Sequence, residues 1–350
     1  MESHCIDTIA EPRVAFVVLS YNQQDYIRDA IHAALCQDYG LLTIVFSDDC
    51  STDNSLEIIR DEVSKYDGPH QVIIKARDPN MGVNAHVNAV MSEVGEEFII
   101  IAAGDDISLP ERTRKLVEAW KSGVQGVYSN ATIIDSNGQH YNSIAHENYA
   151  GLTNWKDMVR LGSHGSWGCA YAWDRKVFDV FGGVPLNVIG EDAAIPFRCA
   201  LLGKINYLKQ PLVLYRDHGQ NLSFWSRIKT CDKKQMMTLS IEHLWQLQIH
   251  YENWIDDVQV ACEHEFITKE ELDWAVVLLE DHIRLKKEQM KMMGVGIPGL
   301  LMHFVIIALK ACVSRQPSYW VRHSLSIVLQ YRFPNLRRAL LKLRARGQHA

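Results

Sequence analysis

The sequence predicts an α/β protein with a mostly parallel, Rossmann-like sheet and helices on both faces, followed by a helical carboxyl-terminal region. Four apolar-rich segments predict strands, and the first and the fourth of them are the continuous apolar runs that are typical of strands buried on both faces. They span residues 14–19, 42–47, 72–76 and 98–103. Segments with a helical spacing of apolar residues lie between them, and this alternation predicts parallel strands joined by crossover helices.

The connecting elements follow from local signals along the chain. The first predicted helix covers about 24–36 and repeats its apolar residues with the helical period. The second helix begins after the acidic loop 48–53, and the third runs from the turn at 80–82 to residue 91. Later signals predict a hairpin turn at 136–139, a helix over 193–202 that Gly203 ends, and a strand over 205–208.

An acidic turn ends the fourth strand. Gly104, Asp105 and Asp106 follow its apolar run, so two carboxylates reach the carboxyl edge of the sheet, where ligands of open α/β sheets bind. Adjacent like charges cost energy unless a cation or hydrogen-bond donors offset them, and carboxylate oxygens suit Mg²⁺ or Mn²⁺. The alternative is structural, with Asp106 or Ser108 capping a helix that starts near Pro110.

The same edge is predicted to carry Tyr21, Asp48 and Asp49, which follow the first two strands. No strand-to-helix turn has the GxGxxG pattern or GxxxxGK followed by Ser or Thr. The glycines with which dinucleotide-binding folds and P-loops hold phosphate are therefore missing. A site built from carboxylates needs a divalent cation between itself and a pyrophosphate.

Three further segments supply candidate site residues. The loop 162–168 is rich in Gly and Ser and contains Trp167, which either stacks on a sugar ring or forms a buried hydrophobic plug. Glu191 and Asp192 precede a predicted helix, where the helix dipole favours acids without any function. His218 follows a strand and is a metal ligand, a donor to phosphate or a group with only local hydrogen bonds.

Three segments, taken together, resemble family 2 glycosyltransferases. The first, VVLSYNQQDYIRDAIHAALCQDYGLLTIVFSDDCSTDNSLEII, has the family's SYN turn, Q-x-Y segment and DD-x-S-x-D loop. The second, DPNMGVNAHVNAVMSEVGEEFIIIAAGDDISLPERTRKL, has its N-x-G helix and acidic loop. The third, GEDAAIPFRCALLGKINYLKQPLVLYRDHGQNLS, has its ED helix and Y-R-x-H-x-x-N-x-S segment. The likeness spans roughly residues 13–223, and three motifs in the right order make it specific.

The resemblance implies a GT-A fold and transfer of a sugar, with inversion, from a nucleotide diphosphate donor to a hydroxyl group. Asp49 would hydrogen-bond the nucleotide base, in a pocket formed with Tyr21 and Ser20. Asp105 would bind a divalent cation, Mn²⁺ or Mg²⁺, on the diphosphate. His218 would complete the shell of that cation or touch the diphosphate.

The third motif implies roles for two acids. Asp192 would be the general base that deprotonates the acceptor hydroxyl, and Glu191 would orient a loop or an acceptor hydroxyl. The second motif departs from the family's usual D-x-D or E-x-D, because Ala103 stands where the first acid is expected. This departure predicts a weaker cation site or a water in place of the missing carboxylate.

Charge is distributed unevenly along the chain. The net charge is −6, but residues 289–350 contain ten Lys or Arg and no Asp or Glu, against 26 basic and 42 acidic residues elsewhere. The leucines at 336, 340, 341 and 343 share a helix face beside basic residues, a pattern typical of helices in a membrane interface. We expect peripheral contact with an anionic membrane, with packing on protein or a membrane span as alternatives. No RNA or DNA motif accompanies the charge, so nucleic acid is not an expected partner.

The predicted organisation is a nucleotide-sugar transferase domain over 1–223, a helical extension over 224–293 and a basic amphipathic tail over 294–350. The eight cysteines are scattered and the first residues are polar, so we expect a cytoplasmic location, at the cytoplasmic face of the membrane. The expected acceptor is a glycan or a lipid-linked molecule in surface polysaccharide synthesis. A non-catalytic nucleotide-sugar- or glycan-binding relative and a metal-dependent nucleotidyltransferase remain alternatives.

Overall fold

The computed structural model describes residues 12–144, 151–165, 168–223, 227 and 231–293. They divide into two compact units, one formed by residues up to 218 with 260–267 and the other by 219–259 and residues from 268 on. Two predicted features, Trp167 and the basic tail 294–350, lie outside the described residues. The predicted domain bounds stay a prediction.

Among the described residues, a mixed sheet of nine strands forms the centre of the first unit, in the order β3-β2-β1-β4-β8-β6-β9-β5, with β7 paired to β6. The strands are β1 Val14–Ser20, β2 Leu42–Asp48, β3 Gln71–Ala76, β4 Phe98–Ala103, β5 Ile107–Ser108, β6 Val124–Ile134, β7 His140–Ile144, β8 Tyr171–Asp174 and β9 Lys204–Arg216. The first four are parallel to one another, as the alternation of strands and helices predicts.

Seven helices accompany the sheet within the described residues. They are α1 Ile27–Leu35, α2 Ser55–Ser64, α3 Val83–Glu93, α4 Arg112–Ala119, α5 Trp155–Leu161, α6 Lys176–Phe181 and α7 Ile195–Leu202. Short 3-10 turns cover Gly168–Ala170 and Glu191–Ala193. The predicted helix over 193–202 therefore begins two residues later than expected, after a 3-10 turn.

The second half of the sheet differs from a simple parallel succession. Strand β8 runs antiparallel to both β4 and β6, so the sheet changes direction next to its fourth strand. Strand β9 runs parallel to β6 with irregular register between Leu208 and Val213. The predicted strand over 205–208 is therefore the first part of a longer, bulged strand that continues to Arg216.

Apolar residues of the central strands form the core. Phe16, Phe46 and Phe98 are completely buried, and the apolar face of α1 with Ile27 and Ile31 packs in the same cluster. At about 25 cal/mol for each Å² of apolar surface removed from water, such side chains stabilise the sheet by a few kcal/mol each. The core fixes the carboxyl ends of the strands, where the acidic loops begin.

The second unit is helical. Its long elements are α8 Lys233–Glu263, whose last residues belong to the first unit, and α9 Lys269–Met293. The ring centroids of Tyr251 on α8 and His282 on α9 are 5.0 Å apart. In the part of the chain that the structure describes, no helix has the length and apolar character that a bilayer span requires.

Candidate active site

Asp49 joins the end of β1 to the start of α3. Its backbone N–H donates to the Ser20 carbonyl at 2.9 Å. Its carboxylate, which is buried, accepts the backbone N–H groups of Met81 and Gly82 at 2.9 Å each. Gly82 has a φ of 76°, in the left-handed region that favours glycine. Each carboxylate oxygen keeps a second lone pair, so Asp49 supports the fold and can still accept a bond from a ligand.

The loops that follow β1 and β2 are hydrogen-bonded to each other. The Asn22 N–H donates to the Ser51 hydroxyl at 2.9 Å, and the Thr52 N–H donates to the Asn22 side-chain oxygen at 2.8 Å. The Ser51 hydroxyl in turn donates to buried Asp48 at 2.5 Å. Between these contacts Tyr21 leaves 48% of its surface exposed. These hydrogen bonds hold the two loops together, and the loops thus present an exposed aromatic ring next to Asp49.

Asp105 and His218 meet at the end of β4. Nε2 of His218 lies 3.0 Å from Oδ2 of Asp105, and both side chains are mostly buried. Across the described residues, no group of three His, Cys, Asp or Glu side chains is arranged to hold a metal. A carboxylate and an imidazole in contact nevertheless supply two ligands of the right kind, and Mg²⁺ and Mn²⁺ usually take their other ligands from substrate phosphates and water.

The carboxylate of Asp106 points into the protein and is therefore not placed to act as a second metal ligand. Its carboxylate accepts the backbone N–H of Arg216 at 2.8 Å, and only 4% of the residue is exposed. Burial, followed by the charge of Asp105, raises the pKa of Asp106 well above its usual range. The alternative that Asp106 or Ser108 caps the next helix is wrong, because α4 begins after Glu111 without a side-chain cap.

Glu191 and Asp192 share a 3-10 turn ahead of α7. Burial, followed by the charge of Asp192, raises the pKa of Glu191 to about 7. Burial also lowers the pKa of His164, whereas the charge of Asp192 opposes this shift. A Cβ at Gly168 would lie 2.6 Å from a carboxylate oxygen of Glu191 and 3.5 Å from Cβ of Asp192. This acidic turn therefore packs closely against the 3-10 turn that begins at Gly168.

The acidic residues are connected through the ends of β1 and β4. The Gly104 N–H donates to the Leu19 carbonyl at 2.9 Å, one residue before the Ser20 carbonyl that binds the Asp49 N–H. The thiol of Cys169 is hydrogen-bonded to Asp106. Gly168 precedes Cys169 and lies against Asp192. The same 3-10 turn therefore contacts the loop of Asp105 and Asp106 and the turn of Glu191 and Asp192. Asp49, Asp105 and Asp192 thus lie around one edge of the sheet, and their roles stay predictions.

Helix α3 supports the segment before the acidic turn. The Asn84 amide donates to the carbonyls of Pro185 and Val188, at 3.2 and 2.7 Å. The Asn88 amide donates to the Val184 carbonyl at 2.9 Å. The helix whose start binds Asp49 therefore also supports the approach to Glu191.

Sequence reasoning missed the cations that hold these loops. Arg112 is completely buried and donates to the carbonyls of Ile101 and Cys169 at 2.8 and 2.7 Å, and to the Ser108 hydroxyl at 2.8 Å. Arg216 likewise contacts the acidic loop, with its Nε donating to the Asp105 carbonyl at 2.9 Å. Arg216 stands in the Y-R-x-H segment, so its position beside His218 was the available signal. Arg112 had no signal beyond its place after the acidic turn.

Comparisons with known proteins show which family this chain is similar to. The family model described as glycosyl transferase family 2 matches residues 15–181. An uncharacterized glycosyltransferase of Nostoc sp., alr2836, is 28% identical over 66% of this chain and 72% of its own length. The succinoglycan biosynthesis protein ExoO of Rhizobium meliloti is 31% identical over 40% of this chain. The alignment covers 38% of ExoO, so the chain spans well under half the length of that relative.

A similar solved structure is a mannosyltransferase of Pyrobaculum calidifontis in complex with GDP-Man and Mn²⁺. It has a TM-score of 0.49 and 15% sequence identity, with 93% of this chain and 88% of that chain covered.

Proposed function

Because the chain belongs to glycosyl transferase family 2, we propose that it transfers a sugar, with inversion, from a nucleotide diphosphate donor to a hydroxyl of a glycan or lipid-linked acceptor. The observation that supports this proposal is the arrangement of Asp49, Asp105 and Asp192 around one sheet edge, linked by the contacts of Ser20, Leu19 and Gly168. The likeness to a succinoglycan biosynthesis protein supports surface polysaccharide as the product.

The nucleotide is expected to bind at the ends of β1 and β2. The exposed ring of Tyr21 offers a face on which a base stacks. Asp49 has acceptor capacity left for a base N–H, because Met81 and Gly82 each occupy one lone pair. Ser20 shapes the floor of the pocket, since its side chain is buried and close to Asp48. These three residues would set which base the site accepts.

A divalent cation, Mn²⁺ or Mg²⁺, fits the pair formed by Asp105 and His218. The two side chains are in contact and the remaining ligands can come from the diphosphate and water. When bound, the cation would supply positive charge beside the departing diphosphate. Ala103 leaves the site with one carboxylate fewer than the usual motif, so we expect weaker binding of the free cation than in a D-x-D site.

Asp192 is proposed as the general base. Its carboxylate would accept the proton of the acceptor hydroxyl while that oxygen attacks the sugar from the face opposite the leaving group. Glu191 shares its turn, and with a pKa of about 7 it is about half protonated at neutral pH. A neutral Glu191 adds no second negative charge beside the base and can donate a hydrogen bond to an acceptor oxygen.

Replacing Asp192 by Asn tests the assignment. Donors are first identified by a thermal-shift panel of UDP-, dTDP- and GDP-sugars with and without Mn²⁺. Asp192→Asn should bind the donor with unchanged affinity and lose transfer by about 10²-fold or more. Asp179→Asn, at an exposed acid of α6, is the matched control and should behave as the unmodified chain. Transfer at the normal rate by Asp192→Asn would refute the assignment.

Peripheral membrane contact is the remaining part of the proposal. Residues 294–350 contain nine of the chain's Lys and Arg residues and no acid, and such a segment is attracted to anionic lipid. The intact chain should float with vesicles of phosphatidylglycerol and not with neutral vesicles, and a chain ending at residue 293 should not float. A matched variant with the basic residues at 337, 338, 342 and 344 changed to Gln separates charge from length. Equal flotation with and without the tail would contradict the proposal.

A further inference from the structure

An aromatic ring supports the imidazole of His218. The ring of Tyr26 stacks on it with centroids 4.9 Å apart and an angle of 28° between the planes. The backbone of Tyr26 is itself held, because its N–H donates to the Gln23 carbonyl at 2.9 Å and the residue occupies the N-cap position of α1. One face of the imidazole is therefore covered by a side chain that starts from a helix end.

Arg216 covers the Tyr26 ring in turn. Its guanidinium carbon lies 4.9 Å from the ring centroid, a distance at which a cation attracts an aromatic face. Hydrogen bonds hold it there, from Nη2 to the Asp29 carboxylate at 2.9 Å, from Nε to the Asp105 carbonyl at 2.9 Å and from Nη1 to the Ser136 carbonyl at 3.3 Å. The guanidinium, the phenol ring and the imidazole thus form a network that begins and ends at the acidic loop.

We propose that Tyr26, held by Arg216, is a positioning residue that fixes the imidazole of His218 against the carboxylate of Asp105 and so prepares both for a divalent cation. The inference rests on the proposed function, because it takes these two side chains as the cation ligands. It goes further by assigning a role to two residues that are not themselves among the proposed cation ligands.

The small number of ligands explains why such support matters here. Two protein ligands contact each other, and Ala103 supplies none. When few ligands are present, freedom in any one of them lowers affinity, and partners that orient ligands commonly change metal affinity by about 10–100-fold. The Tyr26 ring removes rotational freedom of His218 without competing for its nitrogens, since stacking uses only the face of the imidazole.

Two substitutions at Tyr26 distinguish the effect of its aromatic ring from the effect of its hydroxyl group. Tyr26→Phe keeps the stacking face, and Tyr26→Leu removes it while keeping an apolar side chain. The chain offers a matched control in Tyr66, which stacks on His70 with ring centroids 6.2 Å apart. Tyr66 follows the carboxyl end of α2, away from the acidic loop. Tyr66→Leu removes a Tyr–His stack that has no part in the inference, together with the bond that the Tyr66 hydroxyl accepts from the His70 N–H at 3.1 Å.

Mn²⁺ alone is the probe, titrated into each variant and followed by the loss of the free-ion signal in electron paramagnetic resonance. Tyr26→Leu should weaken binding about tenfold, whereas Tyr26→Phe and Tyr66→Leu should stay within about twofold of the unmodified chain. In metal-free samples the ring-current shift of the His218 proton resonance, assigned with His218→Ala, should disappear in Tyr26→Leu and persist in Tyr26→Phe. Circular dichroism melting establishes that each variant is folded.

The outcomes distinguish this inference from the proposed function. If His218→Ala and Asp105→Ala weaken Mn²⁺ binding and Tyr26→Leu does not, the inference is overturned and the cation site stands. If neither His218→Ala nor Asp105→Ala has an effect, the cation site itself is overturned, and the inference with it. Should Tyr26→Leu not fold, Asp29→Ala replaces it, because loss of this exposed partner of Arg216 should weaken Mn²⁺ binding in the same direction.

Discussion

Glu191 and Asp192 lie side by side in one 3-10 turn, and burial together with the charge of Asp192 raises the pKa of Glu191 to about 7. The folded protein therefore binds this proton more tightly than the unfolded chain, in which the pKa is near 4.5. For such a group the free energy of unfolding falls as the pH rises from the unfolded value through the folded one. Above about pH 7 the full loss in the free energy of unfolding caused by burying Glu191 is present.

Glu191→Gln should remove this pH dependence. The variant should gain free energy of unfolding relative to the unmodified chain at pH 8 and gain much less at pH 5, measured by urea unfolding at both values. The pH profile of kcat/KM should also lose an inflection near 7. Glu57→Gln, on α2, serves as the control. An equal difference at both pH values would show that the Glu191 pKa is not raised.

Asp49→Ala should affect both folding and donor binding. The substitution leaves the N–H groups of Met81 and Gly82 without their acceptor. Both residues are exposed and water can reach them, so the loss is that of two hydrogen bonds to a charged group, on the order of 1–2 kcal/mol. Urea unfolding measures the loss, and calorimetry with UDP measures the weakened nucleotide binding. Tyr21→Ala is the comparison, because its ring is exposed and it should reduce UDP binding with little change in stability. Unchanged stability of Asp49→Ala would contradict the structural part of this prediction.

Substitutions at Asp105 and Asp106 should distinguish the proposed metal ligand from the residue that only supports the loop. Asp105→Asn should weaken Mn²⁺ binding, since the carboxylate that contacts His218 loses its charge. Asp106→Asn should leave Mn²⁺ binding nearly unchanged, because the raised pKa of Asp106 favours its neutral form and an amide oxygen can still accept the Arg216 N–H. Mn²⁺ titration followed by paramagnetic resonance compares the two. Equal losses would mean that Asp106 is a ligand.

Arg112→Leu should be strongly destabilising. It leaves two buried carbonyls and a hydroxyl without their donor, and the loss should reach about 3–5 kcal/mol in urea unfolding. Arg114→Leu, on the same helix, is the matched control. Its exposed guanidinium pairs with Asp38 and Glu118 at the surface, and surface pairs contribute little. Similar losses at the two positions would contradict the role given to Arg112.

The first half of the sheet was predictable because β1, β2 and β4 are almost entirely buried and have mostly apolar sequences. Strand β3 is only partly buried, and its place in the alternation of strands and helices predicted it. Strand β8 was not predictable, since it has only four residues and pairs antiparallel with β4 and β6. A strand of that length carries too little pattern to show its direction. The change from a parallel to a mixed sheet is therefore a property of long-range pairing.

Candidate site residues were predicted from motifs, whereas their supporting contacts were not. The sequence places Asp105 and Asp106 side by side, yet one meets His218 and the other turns inward to the Arg216 N–H, 110 residues away. Adjacent residues in a turn diverge in direction, and no local signal tells which of them faces the ligand. The stack of Tyr26 on His218 likewise joins two segments that are distant along the chain.

The short pairing of β9 with β5 has a consequence for insertions and deletions. Leu214 and Val213 oppose Ile107 and Ser108, and Arg216 follows two residues after Leu214. One residue added or lost between Val213 and Arg216 would turn the guanidinium to the other face of the sheet and displace His218 by about 3.3 Å. Upstream, the irregular register between Leu208 and Val213 can take up a change in length. Engineered loops and length variation are therefore expected to be tolerated before Val213 and to abolish function just after it.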